Sequence, residues 1–422
     1  MNAPVLKTGK GASPSWVRIP PCPPYEPTGG YCDIACHAAV SLWEVNGLTM
    51  TNAKTLEWGE PAPYFSAPAP VNPRFDFSSL AGRFVVLVFF GDSKIAGMSD
   101  ALSEFATKVI PRDDSISVCF GVTSRASDRE DTTVLSRFHR SRVFLDADWA
   151  IARKYGLVAD NNEDGRAAFK PTWFVLDPTL RVYARGTIAE IDRLAALVQQ
   201  LPHPSRHAGG VQEAWAPVLL VPRVLPPSLC KALIDYYNQH DAYESGFMRA
   251  EGDKTVGVND TSFKRRQDVN IDSEELRTAL RVSVSRRLLP ELKRAFQYDA
   301  TRVERYIVAC YDSKTQGFFR AHRDNTTPGT AHRRFAVTIN LNAEGFEGGE
   351  LRFPEYGSRT YKAPTGGAVV FSCSLLHEAL PVTSGVRYAT LPFLYGTQDA
   401  ETRLRSSSSV VDAERITTSK VT

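Results

Sequence analysis

"FAVTINLN", residues 335–342, alternates strictly: Phe335, Val337, Ile339 and Leu341 fall on one side, Ala336, Thr338, Asn340 and Asn342 on the other. Successive side chains of a β-strand point to opposite faces, so a period of two predicts a strand. One apolar face and one more polar face fit a strand of an antiparallel sandwich or barrel. From Arg305 to Tyr395 further short runs follow, broken by Gly, Pro and Asn turns, as in "EGGELRFPEYG" and "GGAVVFSC". Turn signals at that density predict an antiparallel sandwich or barrel. Helices precede it. Leu229, Ala232, Leu233, Tyr236 and Tyr237 recur at helical spacing behind "PPS", and 272–296 reads as a long amphipathic helix. Asp272 opens that helix with Glu275 three residues on, and Pro290 predicts a bend.

Just upstream lies "FFRAHRDNTTPG", residues 318–329, in a chain with only eight histidines. In a strand His322 and Asp324 share a face while Arg323 turns away. An imidazole and a carboxylate so placed make a salt bridge, a catalytic pair, or two ligands of one metal. Two later residues choose among these: His377 in "FSCSLLHEALPV" and Arg387 in "GVRYATLPFLYG". Two histidines and one carboxylate cap one face of an octahedral iron(II), leaving three adjacent positions open. Two of those suit a bidentate α-keto acid and the third suits dioxygen. A planar guanidinium matches the distal carboxylate of such an acid, a role for Arg387. Pro392 interrupts the strand after Arg387 and predicts an edge or a bulge. His332 reads as a surface residue at a strand entrance, and Glu378 as facing away from His377.

These segments together, "RYIVACYDSKTQGFFRAHRDN", "FAVTINLN", "EGGELRFPEYG", "GGAVVFSCSLLHEALPV" and "GVRYATLPFLYG", resemble the iron(II)/2-oxoglutarate-dependent dioxygenases of the prolyl 4-hydroxylase-like branch, over roughly 217–396. The resemblance implies a double-stranded β-helix, or jelly roll. It implies His322, Asp324 and His377 as ligands of Fe(2+), Arg387 on the C5 carboxylate of 2-oxoglutarate, Tyr311 hydroxyl on the same group, and Asn340 facing the co-substrate. Dioxygen as second co-substrate and L-ascorbate as reductant follow from it too. The expected reaction is hydroxylation of a C–H bond in a protein (prolyl-like) or small-molecule substrate, with release of succinate and CO2. The alternative is a non-catalytic adaptor that senses iron or 2-oxoglutarate. The basic stretch "SFKRRQDVNI" (262–271) is either a solvated strand edge or an entrance where Arg265 or Arg266 meets substrate.

The N-terminal half is patterned differently. "RFVVLVFFGD" (83–92) and "SISVCFGVTS" read as buried strands, "MSDALSEFATKVI" as a helix and "TWFVLDPTLRVYARG" as a hairpin. Alternating strands and helices predict an α/β domain with a central sheet. "LEWGEPAPYFSAPAPVNPRFDFSSLAGRFVVLVFF" and "FKPTWFVLDPTLRVYARG" resemble the peroxiredoxin branch of the thioredoxin fold, which implies a cis Lys170–Pro171 bond. Peroxidase chemistry needs a thiolate at the first turn after the first strand. There the sequence reads "GDSKIAGMSD", with Gly97 about where the reactive residue belongs. Cys119 reads as a buried small hydrophobe. The domain is expected to be a redoxin scaffold without peroxidase activity.

The expected organisation is therefore a Pro/Gly-rich, disordered leader (1–54), a thioredoxin-like α/β domain (55–201), a linker (202–213), an α+β jelly-roll domain (214–397) and a disordered tail (398–422). Cys32, Cys36 and His37 in "CDIACHAA" lack a fourth zinc ligand, and Met50 is an alternative start. The chain has 422 residues and a net charge of +3, too small to suggest a nucleic-acid surface. No apolar run reaches the roughly 20 residues of a membrane span. Seven cysteines without framework spacing fit a reducing compartment, and the cytoplasm is the expected location.

Overall fold

The computed structural model describes residues 55–406, apart from 71, 110–112, 160–167, 207–213 and 252–253, together with 410–411 and 418–420. The leader, with Cys32, Cys36, His37 and Met50, lies outside the described residues, as does most of the expected linker. From Thr55 onward the described chain forms one compact unit.

Five strands build the N-terminal sheet, in the order Val143–Leu145, Ser117–Thr123, Phe84–Gly91, Thr172–Leu176, Val182–Thr187. The first three are parallel, and the last two form an antiparallel hairpin at the other edge. Phe84–Gly91 is central and buried along its whole length. Phe84, Val86, Val88 and Phe90 pack against the helices Met98–Lys108 and Ile191–Gln200. Val85, Leu87 and Phe89 pack on the opposite face against Phe77, Ile151 and Tyr155. A strand covered on both faces has no polar side to show, which is why "FVVLVFF" does not alternate. The Lys170–Pro171 bond is trans, since the described backbone has no cis peptide. Trans is the cheaper isomer by about 0.5–1 kcal/mol, and here the Thr172 hydroxyl donates back to the Lys170 carbonyl at 2.8 Å.

The second half is built on two facing antiparallel sheets. The larger contains Gln267–Asn270, Ile307–Asp312, Val382–Thr390 and Phe335–Asn340 side by side, with Ala368–Ser372 and Phe393–Tyr395 also pairing with Phe335–Asn340. The smaller runs Lys264–Arg265, Phe318–His322, His377–Ala379, Leu351–Arg352, Thr360–Tyr361. Alternation sorts the two cores. Val337, Ile339, Val308 and Cys310 face the helices Pro227–Asn238 and Glu274–Arg287. Ala336, Ile307, Ala309 and Tyr311 face Leu351, Tyr361 and Ala379 of the smaller sheet. Pro392 sits between two strands rather than within one, so no ladder donor is lost, and its carbonyl accepts from the Val337 N–H at 3.0 Å.

Two expectations are corrected in this half. The long helix is two, Glu274–Arg287 and Leu289–Phe296, and its cap is Ser273 rather than Asp272. The Ser273 hydroxyl accepts from the Leu276 N–H at 3.3 Å, while Asp272 pairs with Arg277 at 2.8 Å. Pro290 falls in the first turn of the second helix, where its missing N–H is harmless. The expected disordered tail begins instead as a helix, Thr397–Ser406. Asp399 anchors it, accepting from the Tyr298 hydroxyl at 2.5 Å and from the Arg334 guanidinium at 2.6 Å.

Candidate active site

His322 ends the strand Phe318–His322, and His377 begins the strand His377–Ala379. The two are register partners across the ladder, with ring centroids 4.3 Å apart. Asp324 lies beyond the strand, in a turn fixed by its own N–H donating to the Cys373 carbonyl at 3.0 Å. Convergence with His322 therefore comes from a turn, where the alternation argument assumed a continuing strand. Nε2 of His322 stands 3.5 Å from Oδ1 of Asp324, and Nε2 of His377 stands 3.3 Å from Oδ2. Nδ1 of His322 donates to the Arg320 carbonyl at 2.7 Å, and Nδ1 of His377 to the Leu375 carbonyl at 3.0 Å. Those bonds fix the tautomers and leave both Nε2 lone pairs for a ligand role.

The charges agree with that role. Burial pushes the Asp324 carboxyl up, but His377 and His322 outweigh it and hold the group well below the usual carboxylate range. Burial, helped by the neighbouring His322, pulls His377 down to about 4, so its imidazole is neutral at physiological pH. An ionised acid and a neutral imidazole are the forms that bind metal.

Behind this group an inner cavity is lined by Tyr311, Thr338, Leu351, Phe371 and Arg387. Tyr311 and Arg387 are cross-strand partners, with the guanidinium 4.9 Å from the Tyr311 ring centroid. Arg387 is only 2 % exposed. Its Nε donates to Asn340 Oδ1 at 3.3 Å, and its buried Nη1 has no partner. Among the described residues no carboxylate pairs with it. Asn340 in turn donates to the Ala363 carbonyl at 2.8 Å, so it stands beside Arg387 rather than on the cavity wall. Gly349 (φ +69) passes so close that an added Cβ would lie 3.1 Å from Arg387 Cδ.

The outer cavity, about 960 Å³, is floored by His322 and Asp324. One wall belongs to the N-terminal half: Asn72, Arg74, Phe75, Asp76 and Ser78 line it. Arg323, the residue between the two ligand candidates, turns away from them and toward that half. It stacks on Tyr64 at 5.1 Å, donates to Ser78 Oγ at 3.3 Å and pairs with the buried Glu355 at 2.9 Å. Glu355 also accepts from the Leu376 N–H at 2.9 Å.

Several residues sit where the pattern did not place them. His332 is buried, 1 % exposed, and not on the surface. Its Nε2 lies 2.5 Å from Glu304, which also pairs with Arg333 at 2.5 Å. A buried acid drew both residues inward, and nothing in "RVERY" marks Glu304 in advance. Arg266 is committed to Asp268 at 2.5 Å, and Arg265 donates to the Thr261 and Thr315 carbonyls, so neither guards the outer cavity. Glu378 faces away from the group, bound by Arg352 Nε at 2.6 Å. In the N-terminal half Gly97 caps the helix Met98–Lys108, and burial pushes the Cys119 thiol up to about 12.

The family model for the 2OG-Fe(II) oxygenase superfamily matches residues 306–395, which hold all of these ligand candidates and Arg387. Residues 306–395 are a 2OG-Fe(II) oxygenase domain. The oxygenase domain is similar to PKHD-type hydroxylases. One from Paracoccus denitrificans is 31% identical over 155 residues, covering 34% of this chain and 66% of that protein. Another from Cupriavidus metallidurans is 38% identical over 81 residues, covering 17% and 36%. The chain thus spans less than two thirds of the length of either. Among solved structures, a Trichoplax adhaerens prolyl hydroxylase in complex with a hypoxia inducible factor peptide matches at 18% identity, 45% and 86% coverage and TM-score 0.34. A Xanthomonas campestris bacterioferritin comigratory protein matches at 17% identity, 34% and 96% coverage and TM-score 0.28.

The residues present fit what this family holds. His322, Asp324 and His377 each offer a ligand atom, all within 4.8 Å of one another, as three donors to one ion require. Two nitrogens and one carboxylate oxygen are the donor set expected of iron(II). Arg387, a buried cation with an unpartnered N–H, fits an anionic co-substrate.

Proposed function

We propose that this protein is an iron(II)- and 2-oxoglutarate-dependent dioxygenase whose oxygenase half is a double-stranded β-helix. It hydroxylates a C–H bond of a protein or small-molecule substrate and releases succinate and CO2. The observation that carries this reading is Arg387, a guanidinium buried without a counter-ion behind a two-histidine, one-carboxylate group. Burying an unpaired charge costs several kcal/mol, on the order of 3–5, and is retained where a ligand supplies the partner.

When bound, the iron supplies the oxygen chemistry, with 2-oxoglutarate as its electron source. The chain supplies position. His322, Asp324 and His377 would hold the metal at the junction of the two cavities. Arg387, steadied by Asn340 and flanked by Tyr311, would anchor the far carboxylate in the inner cavity. Phe371, whose ring lies 4.5 Å from His377, and Phe319, stacked on His322 at 3.6 Å, shield the imidazoles from water. Substrate enters from the outer cavity.

Anaerobic titration with iron(II) and 2-oxoglutarate, then oxygen and a succinate assay, tests the proposal. One equivalent of each should bind, and oxygen should yield succinate. Failure to bind 2-oxoglutarate in the presence of metal sinks the reading. Binding without succinate across a broad substrate panel favours the sensing adaptor.

A further inference from the structure

The outer cavity is lined by six cationic and four acidic side chains. Most cations near the metal group are already committed. Arg333 is held by Glu304 at 2.5 Å, Arg323 by Glu355 at 2.9 Å, and Arg266, just inside, by Asp268 at 2.5 Å. Arg305 differs. It lines both the outer and the inner cavity, so it stands where they meet. No carboxylate among the described residues pairs with it, and its buried Nε has no hydrogen-bond partner. Its guanidinium rests on the Phe393 ring at 4.9 Å, which orients it without neutralising it.

The backbone gives a second, independent sign. Arg305 has φ 73, in the left-handed region that a residue with a Cβ seldom occupies. Outliers of this kind concentrate where a side chain must be aimed. Burial and the neighbouring Arg266 pull the guanidinium down to about 10, against the opposing pull of the more distant Asp268 and Asp324 carboxylates.

Resting on the function proposed above, the balance of charge can be followed. Iron(II) and Arg387 are offset by Asp324 and the 2-oxoglutarate dianion, which leaves Arg305, where the two cavities meet, without an ion-pair partner beside the substrate. We infer that Arg305 is the docking group for a carboxylate of the substrate, so that the molecule hydroxylated carries a free acid held at the mouth of the inner cavity. The acid belongs either to a small molecule or to an acidic side chain of a peptide.

The test uses the full chain with manganese(II) and 2-oxoglutarate under nitrogen, so that Arg387 is already occupied. Saturable 2-oxoglutarate binding is checked first, and its absence counts against the dioxygenase reading alone. Calorimetric titration with sodium acetate and with acetamide then reads the outer site. Acetate should bind at least tenfold more tightly than acetamide, Arg305→Gln should abolish that preference, and Arg305→Lys should keep part of it. N-acetylglycine and a terminally blocked Gly-Asp-Gly peptide, each compared with its amide, separate the two sources. Equal binding of acetate and acetamide by the natural protein, acetate binding unchanged in Arg305→Gln, or no Arg305-dependent preference for any of the acids overturns the inference.

Discussion

His322 and His377 face each other across one ladder, and the residue immediately before each, Ala321 and Leu376, packs against the core of the N-terminal half. The candidate metal group is thus backed by a domain that contributes no ligand to it. Leu376 is 1 % exposed, so the contact is core rather than rim.

Arg323 and Glu355 tie this arrangement together, and breaking the pair should be felt by both halves. Arg323→Met leaves Glu355 buried and unpaired, a loss of about 3–5 kcal/mol. Urea unfolding followed separately by tryptophan fluorescence and far-UV circular dichroism should show a lower midpoint in both signals. A shift confined to one signal would mean that the halves unfold independently.

Removing one ligand should abolish metal binding while the fold survives. Asp324→Ala takes away the only carboxylate of the three, and manganese(II) affinity should fall at least 100-fold, beyond the 10–100-fold typical of a supporting partner. Electron paramagnetic resonance of free manganese gives the affinity directly. Glu378→Gln, on the opposite face of the strand, should leave it unchanged.

Arg387 should matter to the co-substrate and not to the metal. Arg387→Met should weaken 2-oxoglutarate binding by about 30-fold or more, from the 2–5 kcal/mol of a truncated charge pair. Without ligand the same variant should be at least as stable as the natural protein, because it removes an unpaired buried cation. Thermal melts with and without 2-oxoglutarate should therefore shift in opposite directions.

Acid sensitivity should centre on Glu304. Burial raises its pKa, but Arg333 and His332 outweigh it and lower the carboxyl from 4.5 to about 2. A depressed carboxylate stabilises the fold above its ordinary pKa, and the contribution disappears as pH falls from 4.5 toward 2. At about 1.4 kcal/mol per unit this amounts to roughly 3 kcal/mol. Glu304→Gln should flatten that stretch of the stability–pH curve while lowering stability at neutral pH.

The N-terminal half should be chemically quiet. Cys119 is buried and its thiol is protonated at neutral pH, so the native protein should not consume hydrogen peroxide through it. Cys119→Ala should leave any peroxide turnover unchanged, and a drop would restore a peroxidase role.

The sequence was most legible where periodicity and chemistry coincided. The alternation in 335–342 sorted its residues into the two faces that the structure turns toward the helices and toward the smaller sheet, because a strand has one geometry for side-chain direction. His322, Asp324, His377 and Arg387 were found by residue type and order along the chain. Less was visible where partners are distant. Glu304 carries no local signal, and only the fold shows that it draws His332 and Arg333 into the interior. Arg305 looked like one basic residue among many until its missing partner and its backbone angle could be seen. The Ser273 cap turned on one residue of register, which local capping preferences do not resolve.

The wall formed by Asn72 to Ser78 has a practical consequence. Ser78 touches Arg323 across 245 residues of chain. On the function proposed above, the wall that meets the substrate and the residues that would hold the metal are therefore written in separate parts of the gene. Exchanging that short stretch for one of different shape should redirect selectivity while the ligand set stays untouched.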